Sequence, residues 1–317
     1  MNPAARKTLA ALVSVASNTA LVAMKIIVGL FIGSVSVISE AIHSAVDLMA
    51  AVIALLAVRE GSKPADDKHP FGHGKFENVS GTVEALLIFL AAIWIIYQAI
   101  GKFLHPREIV FPGWGVAVMA ISAGLTVVVS RYLFTVGKAT DSAALQADGW
   151  HLRTDVWTSV GVLTGLGAIS LGDVILGQMD IPPATKALWQ DHLHLIDPIT
   201  AILVAVLIIR AAWTLTVHSA RDLVDVTLPA DEERWIQEML RRYPSVHGFH
   251  RMRTRKSGPL RFVDFHIWVE ADMTVRESHY LSHQIAEVIR EHFGDASVTV
   301  HVEPCAGLCG RPEGHGS

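Results

Sequence analysis

Two histidine–aspartate pairs with the same spacing are the residues of this chain best suited to chemistry. His43 and Asp47 lie four residues apart in one strongly apolar stretch, and His151 and Asp155 repeat that order in another. Titratable side chains inside hydrocarbon cost on the order of several kcal/mol each, so their presence needs a reason. A four-residue step places both side chains of a pair on one helix face. Two such faces supply two imidazoles and two carboxylates, a donor set suited to tetrahedral Zn²⁺.

A metal site at membrane depth, without a nucleophile or cofactor beside it, is typical of transport. Imidazole and carboxyl ligands must be deprotonated to bind metal, so metal entry displaces protons and proton entry displaces metal. Histidine titrates near neutral pH, which makes this competition steep there. The pairs therefore predict an antiporter that binds metal on the inside and releases it outside on protonation. For either pair taken alone, a hydrogen bond between packed helices is the open alternative.

The composition predicts a membrane domain over residues 1–222. The 317 residues are 51% hydrophobic and 18% charged, too apolar for a typical soluble enzyme. Six segments reach the roughly 20 apolar residues that a bilayer span needs: Leu9–Ile32, Val35–Val58, Val79–Leu104, Trp114–Val136, Ala144–Leu171 and Pro198–His218. Lys and Arg are concentrated at those ends of the spans that lie on the same side of the membrane as both termini. This distribution predicts that both termini face the cytoplasm from a plasma or inner membrane. The net charge is -4, and the charged residues are spread along the chain without a basic patch, so no nucleic-acid partner is expected.

Residues 223–304 have the pattern of a small cytoplasmic α+β domain with the order αββαβ. The predicted strands Val246–Arg255 and Arg261–Glu270 flank a turn at Lys256–Pro259. Val275–Phe293 is predicted as an amphipathic helix, and alternating valines after it predict a third strand. The expected domain is a three-stranded sheet with two helices on one face. Residues 305–317, with both cysteines of the chain, are expected to form a flexible tail.

Two further groups of metal-ligand residues lie outside the apolar stretches. In the loop after the second span, Asp66, His69 and His73 could hold Zn²⁺ with water as the fourth ligand, and a purely structural polar loop is the alternative. The candidates in the soluble domain are His250, His266, His279, His301 and Glu303. Their spacing leaves open whether they form a metal cluster, and His283 could take the place of His279.

Three more charged residues lie at or in the membrane domain. Lys75 and Asp225 lie at its cytoplasmic edge, where a surface ion pair contributes about 0–1 kcal/mol. Glu84 lies inside the third span, and the sequence leaves open whether it relays protons, packs, or supports a metal ligand.

The chain resembles the cation diffusion facilitator family, above all its bacterial zinc and iron efflux branch. The resemblance covers about residues 8–304 and rests on Gly33–Val37, on the Asp-Asp-x-His-x-Phe-Gly-His-Gly-Lys run that begins at Asp66, and on Ala147–Asp155. It implies a homodimer of subunits with six transmembrane helices and a metallochaperone-like cytoplasmic domain. It also implies export of Zn²⁺ from the cytoplasm in exchange for H⁺ by alternating access.

The resemblance further implies roles for the candidate residues. His43, Asp47, His151 and Asp155 would form the transport site, and Asp66, His69 and His73 a loop site. The five soluble-domain candidates would form a binuclear site that braces the dimer, and Lys75 and Asp225 a charge interlock where the subunits meet. Two positions depart from the branch: the branch usually has aspartate at the place of His43, and one of its members has a bridging aspartate at the place of Glu303. Histidine at position 43 is expected to favour Zn²⁺ over Cd²⁺.

Other functions remain as alternatives at this point. The same mechanism could export Fe²⁺, Cd²⁺ or Mn²⁺, although Mn²⁺ prefers more oxygen ligands than this set offers. From a different class, a membrane metalloenzyme would need an open metal position with a general base, and the sequence has no His-Glu-x-x-His motif. A membrane-anchored metal sensor would leave the cost of burying the two pairs unexplained.

Overall fold

Long apolar helices form the N-terminal part of the chain in this computed structural model. The structure describes residues 2–32, 35–104, 113–157, 160 and 196–305. It describes only the backbone of residues 29, 32, 35–43, 46, 102–104, 113–119, 196–198 and 200. The helices are α1 (Pro3–Ile32), α2 (Val35–Gly61), α3 (Lys75–Leu104), α4 (Gly113–Ala139), α5 (residues 143–157) and α6 (Ile196–Arg221). A one-turn 3₁₀ helix, Asp222–Val224, follows α6.

The expected helical membrane domain is confirmed. Among the described residues, four helical segments are long and apolar enough to cross a bilayer: Pro3–Val28, Lys75–Gly101, Ala120–Ala139 and Ala201–Val224. The other two helices, α2 and α5, are those that carry the histidine–aspartate pairs. Large apolar side chains on the outer surface, such as Phe31, Trp94 and Trp213, are exposed as a lipid environment requires. The predicted fifth span extends to Leu171, beyond the described part of α5.

Helix α5 belongs to two packed clusters and so joins the bundle together. Leu145 packs with residues of α1, α2 and α4, including Ala10, Val58 and Leu133. On another side, Ala147 packs with residues of α3 and α6, such as Ala85, Ile208 and Ala212. Small residues let membrane helices approach closely, which is the usual basis of helix association in lipid.

A buried ion pair fastens four helices at one end of this bundle. Lys7 of α1 donates to Glu77 of α3 at 2.7 Å, and both side chains are almost completely buried. The hydroxyl of Ser142, immediately before α5, donates to the other oxygen of Glu77. The last residue of α2, Gly61, lies so close that a Cβ there would come within 2.8 Å of Glu77 Cγ. One carboxylate therefore contacts the ends of α1, α2, α3 and α5.

The C-terminal domain has the predicted order αββαβ. Its elements are α7 (Ala230–Leu240), β1 (Gly248–Ser257), β2 (Leu260–Val269), α8 (Val275–Phe293) and β3 (Ala296–Pro304). The sheet order is β1-β2-β3, with β1 antiparallel and β3 parallel to β2. Helix α8 begins with a capping box in which Thr274 and Glu277 each satisfy the other's backbone N–H.

One face of this sheet is the hydrophobic core of the domain. Phe265 and Ile267 of β2 pack against Ile236 of α7 and against Ile285 and Ile289 of α8. The alternate residues of each strand point to the opposite face, because side chains alternate along a strand. The turn is shorter than predicted, since Lys256 pairs with Arg261 and Ser257 with Leu260, which leaves only Gly258 and Pro259 between the strands.

Replacing Glu77 with alanine should destabilise the membrane domain strongly. The change leaves the ammonium of Lys7 buried without its partner, which typically costs about 3–5 kcal/mol. Unfolding of the detergent-solubilised protein, followed by temperature or denaturant, measures the effect.

The matched control is Glu60→Ala, because Glu60 forms an exposed pair with Lys63 at 2.7 Å. Loss of such a surface pair costs about 0–1 kcal/mol. Equal destabilisation by the two substitutions would show that the Lys7–Glu77 pair does not fasten the bundle.

Candidate metal centres

Three of the four predicted intramembrane ligands meet between α2 and α5. Asp47 lies on α2, while His151 and Asp155 lie one turn apart on α5. One ligand atom from each of these residues lies within 4.8 Å of the others. His151 Nε2 is 3.1 Å from Asp47 Oδ1, and both residues are 7% exposed. This is the convergence of two helix faces that the four-residue spacing predicts.

The fourth predicted ligand, His43, lies on α2 one turn before Asp47. Its side chain is outside the described part of the structure. The described donors are one imidazole nitrogen and two carboxylates, each of which can hold either a proton or a divalent cation. Helix packing brings them together, since α5 contacts α1, α2 and α4 through one cluster and α3 and α6 through the other.

The loop between α2 and α3 gathers the second predicted group. Asp66, His69 and His73 each offer a ligand atom within 4.8 Å of the others. Asp66 Oδ1 lies 3.4 Å from His69 Nδ1, and Asp66 Oδ2 lies 3.4 Å from His73 Nε2. The two imidazole rings have their centroids 4.3 Å apart. Three donors around one point match a zinc site whose fourth ligand is water.

Local hydrogen bonds explain why this loop holds its ligands in place. Asp66 Oδ1 accepts the backbone N–H groups of Lys68 and His69, and the bond from His69 is the main reason that the pKa of Asp66 lies below its usual value. His73 Nδ1 lies 3.1 Å from the carbonyl oxygen of Pro64. A carbonyl oxygen can only accept, so Nδ1 is the donor and the lone pair of His73 stays on Nε2, facing Asp66.

Three histidines form a row across the polar face of the C-terminal sheet. His250 of β1 pairs with His266 of β2, and His266 pairs with His301 of β3. Glu303 lies two residues beyond His301, on the same face. The row is the direct result of strand register, because neighbouring strands bring paired residues close together.

Glu303 is the centre of this cluster. Its carboxylate lies 2.7 Å from His266 Nδ1, 3.4 Å from His250 Nε2 and 3.7 Å from His301 Nε2. The hydrogen bond from His266 is the largest reason that the pKa of Glu303 is lowered. The carboxylate of Glu303 therefore stays ionised to a lower pH than that of a free glutamate. A β-bulge follows His250, and Arg251 within it has φ 50°.

The fifth soluble-domain candidate, His279, does not join this cluster in the described chain. It is exposed on α8, with its ring centroid 6.2 Å from that of His283. Helix α8 packs through Leu281 and Ile285 on the apolar face of the sheet, whereas the cluster lies on the other face. A ligand role for His279 therefore requires a second copy of the chain.

Lys75 and Asp225 form an ion pair within one chain. Lys75 Nζ donates to Asp225 Oδ1 at 2.9 Å, and Arg255 of β1 lies 3.4 Å from the same oxygen. These cations lower the pKa of Asp225, with the bond from Lys75 as the largest cause. Arg255 also lies over the rings of Phe262 and Phe71, at 4.2 and 5.2 Å from their centroids. The pair therefore joins the start of α3 to the sheet.

The turn between β1 and β2 inserts into the cytoplasmic end of the membrane domain. The backbone N–H of Gly258 donates to the side chain of Asn78 on α3 at 3.0 Å. Lys256 contacts Asp141, in the turn between α4 and α5, at 2.5 Å. Gly74 follows the loop ligand His73 directly, and a Cβ at Gly74 would lie 2.1 Å from the carbonyl oxygen of Ser257. The sheet thus contacts the loop that carries the candidate ligands, the start of α3, and the turn between α4 and α5.

Sequence reasoning missed the residues that make these contacts. Asn78 and Asp141, like Glu77 of the buried ion pair, are polar residues at the ends of apolar segments. Such residues are usually solvated at a membrane surface, so only the partners seen in the structure identify them as contact residues. The one available signal was Gly258 followed by Pro259, which marks a tight turn without showing what the turn contacts.

The comparison with known proteins agrees with this architecture. Residues 11–224 match the cation efflux transmembrane domain, and residues 228–305 match the cytoplasmic domain of cation efflux proteins. Proteins named cation-efflux pump FieF, from Salmonella newport (strain SL254) and Salmonella enteritidis PT4 (strain P125109), are each 29% identical over 297 residues, which is 94% of this chain and 92% of theirs. The metal-bound C-terminal domain of the CzcD transporter from Thermotoga maritima is 34% identical, over 25% of this chain and 92% of that one, with a TM-score of 0.24.

A helical membrane domain that carries clustered metal ligands and ends in a small α+β domain defines a class of metal-ion transporters. The chain belongs to the cation efflux family, also called the cation diffusion facilitators. It is a multi-pass membrane protein that transports cations, its C-terminal domain is cytoplasmic, and it is not an enzyme. The metalloenzyme alternative is therefore wrong.

Replacing Gly258 with alanine should dislodge the turn from the membrane domain. Gly258 has φ 58°, and a Cβ there would lie 2.8 Å from the carbonyl oxygen of Gly74. The left-handed backbone alone costs an L-residue about 1–2 kcal/mol, and the contact with Gly74 adds to this. We expect faster cleavage by a protease at the junction between the two domains, together with a lower melting temperature.

Gly294→Ala is the matched control, because Gly294 has φ 77° but nothing within 4 Å of its Cβ position. This variant should have a lower melting temperature, because of its backbone conformation, but should be cleaved between the domains at the wild-type rate. If both variants were cleaved at the wild-type rate, the contact between the turn and Gly74 would not hold the domains together.

Proposed function

We propose that this protein exports Zn²⁺ from the cytoplasm in exchange for H⁺. The observation that carries the proposal is the convergence of Asp47, His151 and Asp155 between α2 and α5. His43 lies one turn before Asp47 on α2, and with its imidazole the proposed site would have two imidazoles and two carboxylates, which saturate a tetrahedral ion. A saturated site leaves no open position for a reacting substrate, so its function is to bind and release the ion.

Proton coupling follows from the same atoms. The contact of 3.1 Å between His151 Nε2 and Asp47 Oδ1 is a hydrogen bond only while the imidazole carries a proton there. Zn²⁺ needs that nitrogen deprotonated, so one proton leaves it when the metal binds. On the external side a higher proton concentration reverses the exchange and releases the metal. Alternating access then delivers zinc outward and protons inward.

The choice of Zn²⁺ rests on the donor set. Two imidazoles with two carboxylates suit a borderline ion of tetrahedral preference, whereas Mn²⁺ prefers more oxygen donors. Fe²⁺ export by the same mechanism is the alternative, and competition between the two metals in one flux assay separates them.

The soluble domain supports a homodimer that senses cytoplasmic metal. His250, His266 and Glu303 form one side of a site whose outer member, His301, has a side chain that is 62% exposed. We infer that a second copy completes the site, with His279 as its candidate ligand. Metal binding would then bring two sheets together, and the turn at Gly258 would transmit the movement to the loop site and to the start of α5.

Asp155→Ala should abolish zinc flux while leaving the dimer folded. The loss of one ligand from a buried site should lower transport by more than about 100-fold, beyond the usual effect of residues that only support a ligand. The assay is zinc uptake into proteoliposomes under a pH gradient, with dimer content checked by size-exclusion chromatography. Glu60→Ala, which removes an exposed acid from α2, should transport normally. Proton-driven flux that persisted in Asp155→Ala would rule out this transport site.

His43→Asp should raise Cd²⁺ transport relative to Zn²⁺. The substitution replaces an imidazole with a carboxylate and so weakens the preference for a small tetrahedral ion. The ratio of the two fluxes in the same proteoliposomes is the measurement. His69→Asp makes the same chemical change in the loop outside the membrane and should leave the ratio unaltered. An unchanged ratio in His43→Asp would show that residue 43 does not determine the preference for Zn²⁺ over Cd²⁺.

A further inference from the structure

Besides Glu77, which is paired with Lys7, two carboxyl groups are fully buried in the described part of the membrane domain, and neither belongs to the metal site. Glu84 of α3 and Asp148 of α5 are both 0% exposed. The hydroxyl of Ser80 donates to Glu84 Oε1 at 3.0 Å. The other oxygen, Glu84 Oε2, has no hydrogen-bond partner among the described residues. A buried polar atom without a partner costs free energy, so this one requires an explanation.

The two carboxyl groups lie between the metal site and the cytoplasmic end of the bundle. Asp148 is one turn before His151 on the same face of α5, and α5 begins at the cytoplasmic end beside Ser142. Glu84 lies seven residues after Glu77, so it is about 10 Å further into the membrane along α3. Ala85 and Ala147, the neighbours of these acids in sequence, belong to one packed cluster.

The charges that act on Glu84 come mainly from α5. Asp148 and His151 both interact with it electrostatically, and Asp47 of α2 acts on Asp148 in turn. No lysine or arginine among the described residues neutralises Glu84. The cations of the other helices are engaged elsewhere or exposed.

On α1, Lys7 is paired with Glu77, and Lys25 donates to Ser44. On α6, which packs against α3, Arg210 and His218 are exposed.

Two neighbouring carboxylates cannot both remain ionised in an apolar interior without a cation. Both oxygens of Asp148, like Glu84 Oε2, have no hydrogen-bond partner among the described residues. Burial of an isolated charge is so costly that such a group takes up a proton instead. We propose that Glu84, together with Asp148, is a proton-carrying pair between the transport site and the cytoplasm. This proposal rests on the proton exchange stated under the proposed function.

The pair provides a route by which the proton displaced from the metal ligands reaches the cytoplasm. When Zn²⁺ binds the intramembrane ligands, the proton that leaves them passes to a carboxylate of the pair as an O–H group. The pair then releases it toward the cytoplasmic end, where Ser80 lies one turn before Glu84 on the same face of α3. Only a proton moves, and the carboxyl groups return to their starting state.

Glu84→Gln tests the pair, because glutamine has the size of glutamate but cannot carry the proton. Zinc binding to the detergent-solubilised full-length protein, followed by calorimetry, should keep its wild-type affinity. Zinc flux under a pH gradient should fall by at least about tenfold, as expected for loss of a positioned proton carrier. Glu84→Asp keeps the carboxyl group and should recover part of the flux and of its pH dependence.

The outcomes distinguish this proposal from the proposed function. Wild-type flux and pH dependence in Glu84→Gln would overturn the role of the pair, and so would loss of zinc binding, which would make Glu84 a ligand or a structural residue. Wild-type zinc flux that ignores the pH gradient would overturn proton exchange itself, and the pair with it.

Discussion

The cost of burying charge in an apolar helix bundle is the constraint on which this structure depends. Each ionisable group within the membrane domain needs a proton, a metal ion or an opposite charge beside it. Lys7 and Glu77 satisfy one another in a permanent ion pair. Asp47, His151 and Asp155 lie together between α2 and α5, where each can hold a proton or, in the proposed function, a metal ion. Transport and fold stability therefore use the same physical principle at different depths of the bundle.

The arrangement of the helices connects the three candidate metal centres. Helix α5 carries His151 and Asp155, and the two residues just before it make contacts of their own: Ser142 with Glu77, and Asp141 with the turn of the cytoplasmic sheet. That sheet carries the histidine row at one end and Gly258 at the other. A change in metal binding on the cytoplasmic domain can therefore reach the transport helix through packed, rigid elements. Evidence for such a connection would be that changes at both positions affect one equilibrium.

Local patterns predicted the helices, the αββαβ order and the shared faces of the two histidine–aspartate pairs, because periodicity is a property of a single segment. Contacts between distant segments could not be predicted in the same way. His250, His266 and His301 are aligned by the register of the three strands, which only the structure shows. From the sequence, the alternation of side chains predicted only the face of its own strand on which each residue lies. The amphipathic pattern of α8 predicted the helix, but its packing places His279 away from the cluster. The partners of Glu77 and Asn78 are distant in sequence and left no local signal.

Direct location of zinc in the membrane domain tests the central claim. Anomalous scattering from the zinc-loaded full-length protein should show an ion between α2 and α5, bonded to nitrogen at about 2.0–2.1 Å and to carboxylate oxygen at about 2.0–2.2 Å. The ligands should be His43, Asp47, His151 and Asp155. Zinc found only at the loop and on the cytoplasmic sheet, with none between these helices at saturating concentration, would contradict the account.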